Sequence, residues 1–254
     1  RPGVPALSPR LPVLELELGP GVRAFFSTRE GGVSAGEFAS LNLGLAVEDE
    51  PRRVLANHEL LAREAGAPVA FGRQVHGAAV VEVDQPPSEG RPTVGTGDAL
   101  VTRRRDLALG VVVADCVPVL LADPGRGVVG TAHAGRAGLV AGVVESVVEA
   151  MRAKGALELR AVVGPSICGR CYEVPAALRE EVEAAVPGTA STTSWGTPAL
   201  DLPAGVVSRL RAAGVGQVER LGICTFTDER FFSHRRWGAD GSRRGRFAGV
   251  VRLA

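Results

Sequence analysis

The chain has 254 residues, of which 45% are hydrophobic and 22% charged, and its formal net charge is +1. That length allows one large domain or two small ones, and the composition suits a folded, water-soluble core. The charge balance lacks the basic footprint that bulk nucleic-acid binding needs, and no apolar run approaches the ~20 residues of a membrane helix.

Arg1-Pro2 does not open a charged-then-apolar leader, so no signal peptide and a cytoplasmic location are expected. Lys154 is the only lysine. An almost wholly arginine set of bases reads as genomic base composition, which weakens any single arginine as an anion ligand. Four cysteines in a chain of this length point to metal or catalytic use rather than a disulfide framework.

In chain order, Val13–Leu18 alternates apolar and acidic residues, as a half-buried strand does, and Val22–Phe26 is a second strand. Ser27–Ser34 is a polar, glycine-bearing loop. Asp49 reads as an N-cap before Glu50 and Pro51, with Val54, Leu55, Leu60 and Leu61 on a helical stripe that ends at Gly66. Val69–Val75 and Ala78–Val83 read as strands around His76-Gly77, and Gln85–Gly97 as a loop. Leu107–Val113 leads into a central stretch, Val111 to Gly135. There, Val117–Leu121 and Val128–Ala132 read as strands joined by the turn signal Asp123-Pro124-Gly125-Arg126. Apolar residues from Leu139 to Met151 recur at helical spacing, and Gly155 closes that run. Leu157–Val163 is a strand and Gly164–Tyr172 a loop. Pro175–Val186 is a helix, and Leu202–Ala213 a helix capped by Asp201. Val215–Phe226 is strand-like, Phe231–Arg246 an arginine-rich loop, and Phe247–Leu253 a last strand. Strands outnumber helices and several neighbours look like hairpins, so the fold class is α+β.

The central stretch carries the sharpest chemical signal. A turn centred on Pro124-Gly125 sets Cys116 opposite His133, with Cβ atoms ~5 Å apart on one face. A thiolate and an imidazole so placed can share a zinc ion. A one-residue slip would separate them, and Pro118 warns of irregularity.

The chain has four histidines. His58 falls in the first helix and reads as surface or structural. His76 lies between two strands, either hydrogen-bonded or a ligand. His133 stands where a strand gives way to a helix, among small residues. His76, Cys116 and His133 together supply three N/S ligands, the number found in catalytic zinc sites that keep a position for water. Their spacing is no standard zinc motif. Cys116 reads equally as a buried apolar residue or a nucleophile. Cys168-x-x-Cys171 is half a zinc site, a redox pair or a plain loop; Cys224 stands alone in sequence, which favours the loop. The cluster Arg235-Arg236 and Arg243-Arg244-x-Arg246 reads as an anion site or a solvated loop.

Ordered short blocks carry a resemblance from about Phe25 to Leu253. They are Thr28-Arg29-Glu30-Gly31-Gly32-Val33-Ser34, Ser40-Leu41-Asn42-Leu43-Gly44, Gln74-Val75-His76-Gly77 and Gly97-Asp98-Ala99-Leu100-Val101-Thr102. After these come Ala114-Asp115-Cys116-Val117-Pro118-Val119, His133-Ala134-Gly135, Gly164-Pro165 with Cys171-Tyr172-Glu173-Val174, and Phe231-Phe232-Ser233-His234-Arg235-Arg236. In this order the blocks resemble the laccase-like family of multicopper polyphenol oxidases, also called the YfiH/YlmD family, with the human relative FAMIN.

The resemblance implies one domain over residues 1–254 and a four-layer α/β/β/α sandwich with mixed, largely antiparallel sheets. It implies zinc held by His76, Cys116 and His133. It also implies phosphorolysis of adenosine, inosine, guanosine and methylthioadenosine, and deamination of adenosine. Arg29, Asn42, Gln74 and Arg235 occupy family blocks and have side chains suited to nucleoside or phosphate. Asp115, beside the cysteine, suits orienting a ligand or a proton, or ending a strand. The chain departs from many relatives at Arg136, where they carry Trp, and at His234, where they carry Tyr.

Three other readings compete. A copper polyphenol oxidase needs an imidazole-rich ligand set that four histidines do not furnish. A cysteine hydrolase would use Cys116 as nucleophile and His133 as base. A non-catalytic partner of cell-wall or division proteins would need no turnover.

Overall fold

The computed structural model describes residues 10–241 and 244–254. The first strands are β1 (Val13–Leu16), β2 (Val22–Ser27), β3 (Val69–Arg73), β4 (Val80–Glu82), β5 (Thr93–Thr96), β6 (Ala99–Thr102) and β7 (Ala108–Val113). They are followed by β8 (Val117–Asp123), β9 (Val128–Ala134), β10 (Arg160–Val163), β11 (Ala190–Thr192), β12 (Pro198–Leu200), β13 (Gln217–Arg220) and β14 (Phe247–Leu253). The helices are α1 (Pro51–Ala65), α2 (Arg136–Val140), α3 (Val143–Ala153), α4 (Ala176–Ala185), α5 (Leu202–Ala212) and α6 (His234–Asp240).

Two six-stranded sheets result, in the spatial orders β1-β2-β14-β7-β3-β5 and β13-β10-β8-β9-β6-β4, with β11-β12 as a separate hairpin. Both large sheets are mixed. The β2-β14-β7 and β10-β8-β9-β6 runs are antiparallel, whereas β3 pairs parallel with β5 and β7, and β4 with β6. Three apolar clusters fix the layering. One joins the first sheet to α1 through Phe25, Leu61, Phe71 and Val250. A second joins the two sheets through Phe26, Leu109, Leu120, Val129 and Val251. A third packs α2–α5 on the second sheet through Val119, Ala132, Leu139, Val147, Val182 and Val206. The order is therefore helix, sheet, sheet, helices, the α/β/β/α layering that the resemblance implied. Every residue of β8 and β9 is buried. Covered on both faces, these strands are continuous apolar runs rather than alternating ones.

Several boundaries follow local chemistry. Pro51 opens α1, and Gly66 ends it in the left-handed conformation with φ 72°. The N-cap is Glu50 rather than Asp49, because the Asp49 carboxylate is occupied by Ser34 Oγ and Asn42 Nδ2. The Asp201 side chain accepts the Ala204 N–H and caps α5 as expected. The single helix expected before Gly155 is two helices, because Gly142 takes φ 89° between α2 and α3. The expected loop Phe231–Arg246 contains α6, capped by the Ser233 hydroxyl on the Arg236 N–H; Arg243 lies outside the described residues. The expected loop Gln85–Gly97 contains β5, and the strand expected at Val215–Phe226 shortens to β13.

The central hairpin needs correction. Asp123 pairs with Val128 and Pro118 with His133, so four residues rather than two form the turn and Cys116 does not oppose His133. The shift is by two residues, which leaves both side chains on the same face. Val111–Val113, moreover, belongs to the other sheet. The chain passes from first sheet to second three times: between β3 and β4, between β5 and β6, and between β7 and β8. Because β3, β5 and β7 are parallel, all three passages leave from the same end of the sandwich.

Candidate metal centre

Each of the three passages delivers a side chain to one place. The first carries His76, the second Asp98 and the third Cys116; His133 comes from the end of β9 beside them.

Asp98 organises the group. Its buried carboxylate accepts the N–H groups of Val75, His76 and Gly77, each at 2.9 Å. These bonds hold His76 at φ 61°, a conformation that L residues seldom adopt. The same carboxylate meets His133 Nδ1 at 2.7 Å, and the Asp98 carbonyl accepts the His133 N–H at 2.7 Å. Burial opposes charge on Asp98, but the bonds from His133, Val75 and Gly77 hold its carboxyl below the usual carboxylate range. With Nδ1 committed, His133 has Nε2 left for a ligand, the arrangement by which a second carboxylate orients metal-binding imidazoles.

Asp115 plays the matching part in the third passage. It takes φ 85°, its two carboxylate oxygens accept Thr225 Oγ1 and the Arg235 N–H at 2.6 Å each, and its carbonyl accepts the Ile167 N–H at 3.0 Å. Cys116, next in the chain, sets its Sγ 3.9 Å from His76 Nε2. The His76 and His133 rings meet edge to face, centroids 4.8 Å apart. One ligand atom from each of His76, Cys116 and His133 lies within 4.8 Å of the others. Tetrahedral zinc ligands of these types stand about 3.3–3.6 Å apart, so a small contraction closes the set on an ion. Gly135 makes room, since a Cβ there would lie 2.8 Å from His76 Cδ2 and 3.1 Å from Cys116 Sγ.

The charges suit a cation. Burial disfavours a charged sulfur, yet the His133 and His76 imidazoles bring the Cys116 thiol down to about 6. Burial likewise opposes charge on His133, but Asp98 and Cys116 raise it to about 9. Both shifts favour the thiolate–imidazolium form of the pair. A divalent cation would displace the His133 proton and take up the sulfur charge.

His76, Cys116 and His133 line a cleft of about 400 Å³, together with Leu45, Phe71, Arg73, His234 and Arg246. A more open depression of about 580 Å³ lies beside α1 and the end of β14, where the lining carboxylate of Glu64 is engaged by Arg23 at 2.7 Å. Of the other residues singled out from sequence, Gln74 and His234 line the cleft. Gln74 is committed to the Val112 backbone through both ends of its amide. Asn42 is fully buried and holds the cleft wall from behind, accepting the Gly44 and Arg246 N–H groups. Arg29 and Arg235 lie outside the lining and donate to the carbonyls of Glu229 and Glu173. Among the described arginines of the C-terminal cluster, Arg246 reaches the cleft, and burial lowers its pKa.

Asp98 lies in the Gly97–Thr102 block without a role legible in sequence; an aspartate just before a strand is the one local signal. His58 is buried, with Nε2 on the Leu43 carbonyl, and lines the cleft rather than the surface. Cys224 does not stand alone, for it meets Cys168 and Cys171, with the sulfur atoms within 4.8 Å of one another.

Comparison with known proteins identifies the family. A family model described as multi-copper polyphenol oxidoreductase laccase matches residues 23–254. The chain is 52% identical to purine nucleoside phosphorylase ORF3 of Streptomyces griseus, over 90% of this chain and 93% of that protein. It is 40% identical to a purine nucleoside phosphorylase of Deinococcus radiodurans, over 99% of this chain and 94% of that one. Among solved structures, protein NMB0706 of Neisseria meningitidis superposes with TM-score 0.83 and 32% identity, covering 96% of this chain and 99% of that one. YlmD from Geobacillus stearothermophilus gives 0.84 and 31%, covering 94% of each chain. The chain therefore belongs to the multi-copper polyphenol oxidoreductase laccase family, the group that includes YlmD and YfiH.

Proposed function

We propose that this protein is a zinc-dependent purine nucleoside phosphorylase that also deaminates adenosine. Its substrates are adenosine, inosine, guanosine and methylthioadenosine, with inorganic phosphate. The observation that carries the reading is the convergence of His76, Cys116 and His133 in a cleft that also contains Arg73 and Arg246. The names of relatives such as the 52% and 50% identical Streptomyces proteins support its phosphorylase part.

His76, Cys116 and His133 would hold the ion, and Asp98 keeps His133 in the tautomer that can ligate. When bound, zinc supplies Lewis acidity and concentrated positive charge in the cleft. In phosphorolysis a phosphate oxygen bonds to C1′ of the ribose, the C1′–N9 bond breaks, and the purine leaves with the electron pair. Arg73 and Arg246 offset the phosphate charge, and His234, at the start of α6, gives the departing base a proton. Arg29 and Arg235 act by fixing the loops at Glu229 and Glu173, whose carbonyls they hold. Asn42, Gln74 and Asp115 keep the backbone of the cleft in place. In deamination, water replaces the amino group at C6 and ammonia leaves.

The donor set favours zinc over laccase-type copper. One sulfur and two imidazoles suit a tetrahedral ion, while a three-copper cluster needs more imidazoles than four histidines provide. A second reading rests on a specific geometry: Cys116, His133 and Asp98 also form the thiol, imidazole and carboxylate of a cysteine hydrolase. That triad has no use for His76.

Protein of known zinc content, incubated with adenosine with and without phosphate, decides the matter by product mass. Adenine with ribose 1-phosphate, formed only with phosphate, supports phosphorolysis; inosine supports deamination. Absence of both products from zinc-loaded protein overturns the proposal. Covalent trapping of Cys116 by iodoacetamide despite excess zinc would favour the hydrolase.

A further inference from the structure

Two loops outside the cleft bring together a second group of soft donors. Ser166 and Cys224 form a parallel bridge, the Ser166 N–H donates to the Ile223 carbonyl at 3.1 Å, and the Thr225 N–H donates to the Ser166 carbonyl at 3.1 Å. This alignment sets Cys224 against Cys168 and Cys171, and all three are free cysteines.

We propose that Cys168, Cys171 and Cys224 form a second metal site, for a thiophilic divalent cation of the zinc type, separate from the His76–Cys116–His133 centre.

Three features carry this beyond proximity. First, the Cys171 and Tyr172 N–H groups both donate to the Cys168 carbonyl at 3.0 Å, a tight turn across the C-x-x-C spacing that supplies half of many zinc sites. Second, the Cys224 sulfur accepts the Cys168 N–H at 3.4 Å, which ties the C-x-x-C turn directly to the second loop. Third, three sulfur atoms lie within 4.8 Å of one another, against about 3.8 Å for thiolates on one tetrahedral zinc. A disulfide between any two would leave the third sulfur without a role. Cys168 and Cys224 are only partly buried, which leaves room for water as a fourth ligand.

The same loops hold the third passage between the sheets. Ile167 and Thr225, each next to one of these cysteines, donate to the carbonyl and the carboxylate of Asp115. An ion on the three sulfurs would clamp both loops against the segment that ends at Cys116.

Cobalt(II) and zinc titrations of the full chain test this. Wild type is expected to bind two ions per chain. His133→Ala is expected to keep one, with the near-ultraviolet absorption of sulfur-to-cobalt charge transfer. Adding Cys168→Ser or Cys224→Ser to His133→Ala abolishes that absorption. Binding of one ion by wild type, or survival of the absorption in both double variants, overturns the site. Should those variants fail to fold, alkylation of wild type with iodoacetamide decides. Zinc is expected to slow modification of Cys168, Cys171 and Cys224 at least tenfold by peptide mapping. Equal rates with and without zinc, or a disulfide among the three in protein prepared under reducing conditions, overturn it.

Discussion

Asp98 Oδ1 lies 2.7 Å from Nδ1 of His133 while its carboxylate holds the three-amide turn of Val75, His76 and Gly77. One buried carboxylate thus fixes two of the three metal-ligating residues. Asp98→Asn preserves the volume but removes the charge and turns one acceptor into a donor. Zinc affinity is expected to fall roughly 10–100-fold. A chelator competition measures it, and unchanged affinity would remove Asp98 from this role.

Gly135→Ala should damage the centre without touching the helix that follows. Gly135 has φ −73°, open to alanine, so the cost arises where the new Cβ meets His76 and Cys116. Zinc affinity and turnover are expected to fall together by about tenfold or more, with helix content unchanged. Full zinc binding in a folded variant would refute the close approach.

Arg246→Ala is expected to raise the KM for phosphate by about tenfold, with a smaller effect on the KM for nucleoside, because Arg246 lines the cleft. Arg29→Ala should have a weaker effect of the same kind, through the Glu229 loop. Initial rates at varied phosphate and fixed inosine distinguish them. A larger effect from Arg29 would reassign the phosphate ligand.

Stability should fall on acidification, through His58. Burial lowers the His58 pKa from 6.5 to about 4, outweighing the bond to Leu43. The folded state therefore keeps this imidazole neutral while the unfolded chain takes up a proton below pH 6.5. The stability it contributes is present above pH 6.5 and is lost as the pH falls toward 4. The loss between pH 7 and pH 5 is about 2 kcal/mol. Urea unfolding at the two pH values should show a smaller difference for His58→Gln than for wild type. Equal differences would contradict the assignment.

The helical stripes and their punctuation were readable from the chain. Pro51 and Gly66 bracket α1, and Asp201 caps α5, because those residues act on their own neighbours. What escaped depends on distant partners. Asp49 looked like a cap but is taken by Ser34 and Asn42. β5 and β6 are short and become strands only beside β3 and β9, which no local pattern reveals. A turn centred on Pro124-Gly125 sets the ladder two residues out of register, and a two-residue shift preserves side-chain parity. The convergence therefore held although the ladder did not. Asp98 stayed hidden because its function is to bind backbone from another passage, a task with no spacing rule.

The three passages between the sheets have a thermodynamic consequence. His76, Asp98 and Cys116 occupy successive stitches between the layers, so whatever binds there is also bound by the seam. Occupancy and cohesion are then linked by mass action. At 100 times its Kd, a ligand that requires the closed layers adds about 2.7 kcal/mol to them. Stripping the centre should unfasten this end first, while the remote rim of each sheet keeps its amide protons.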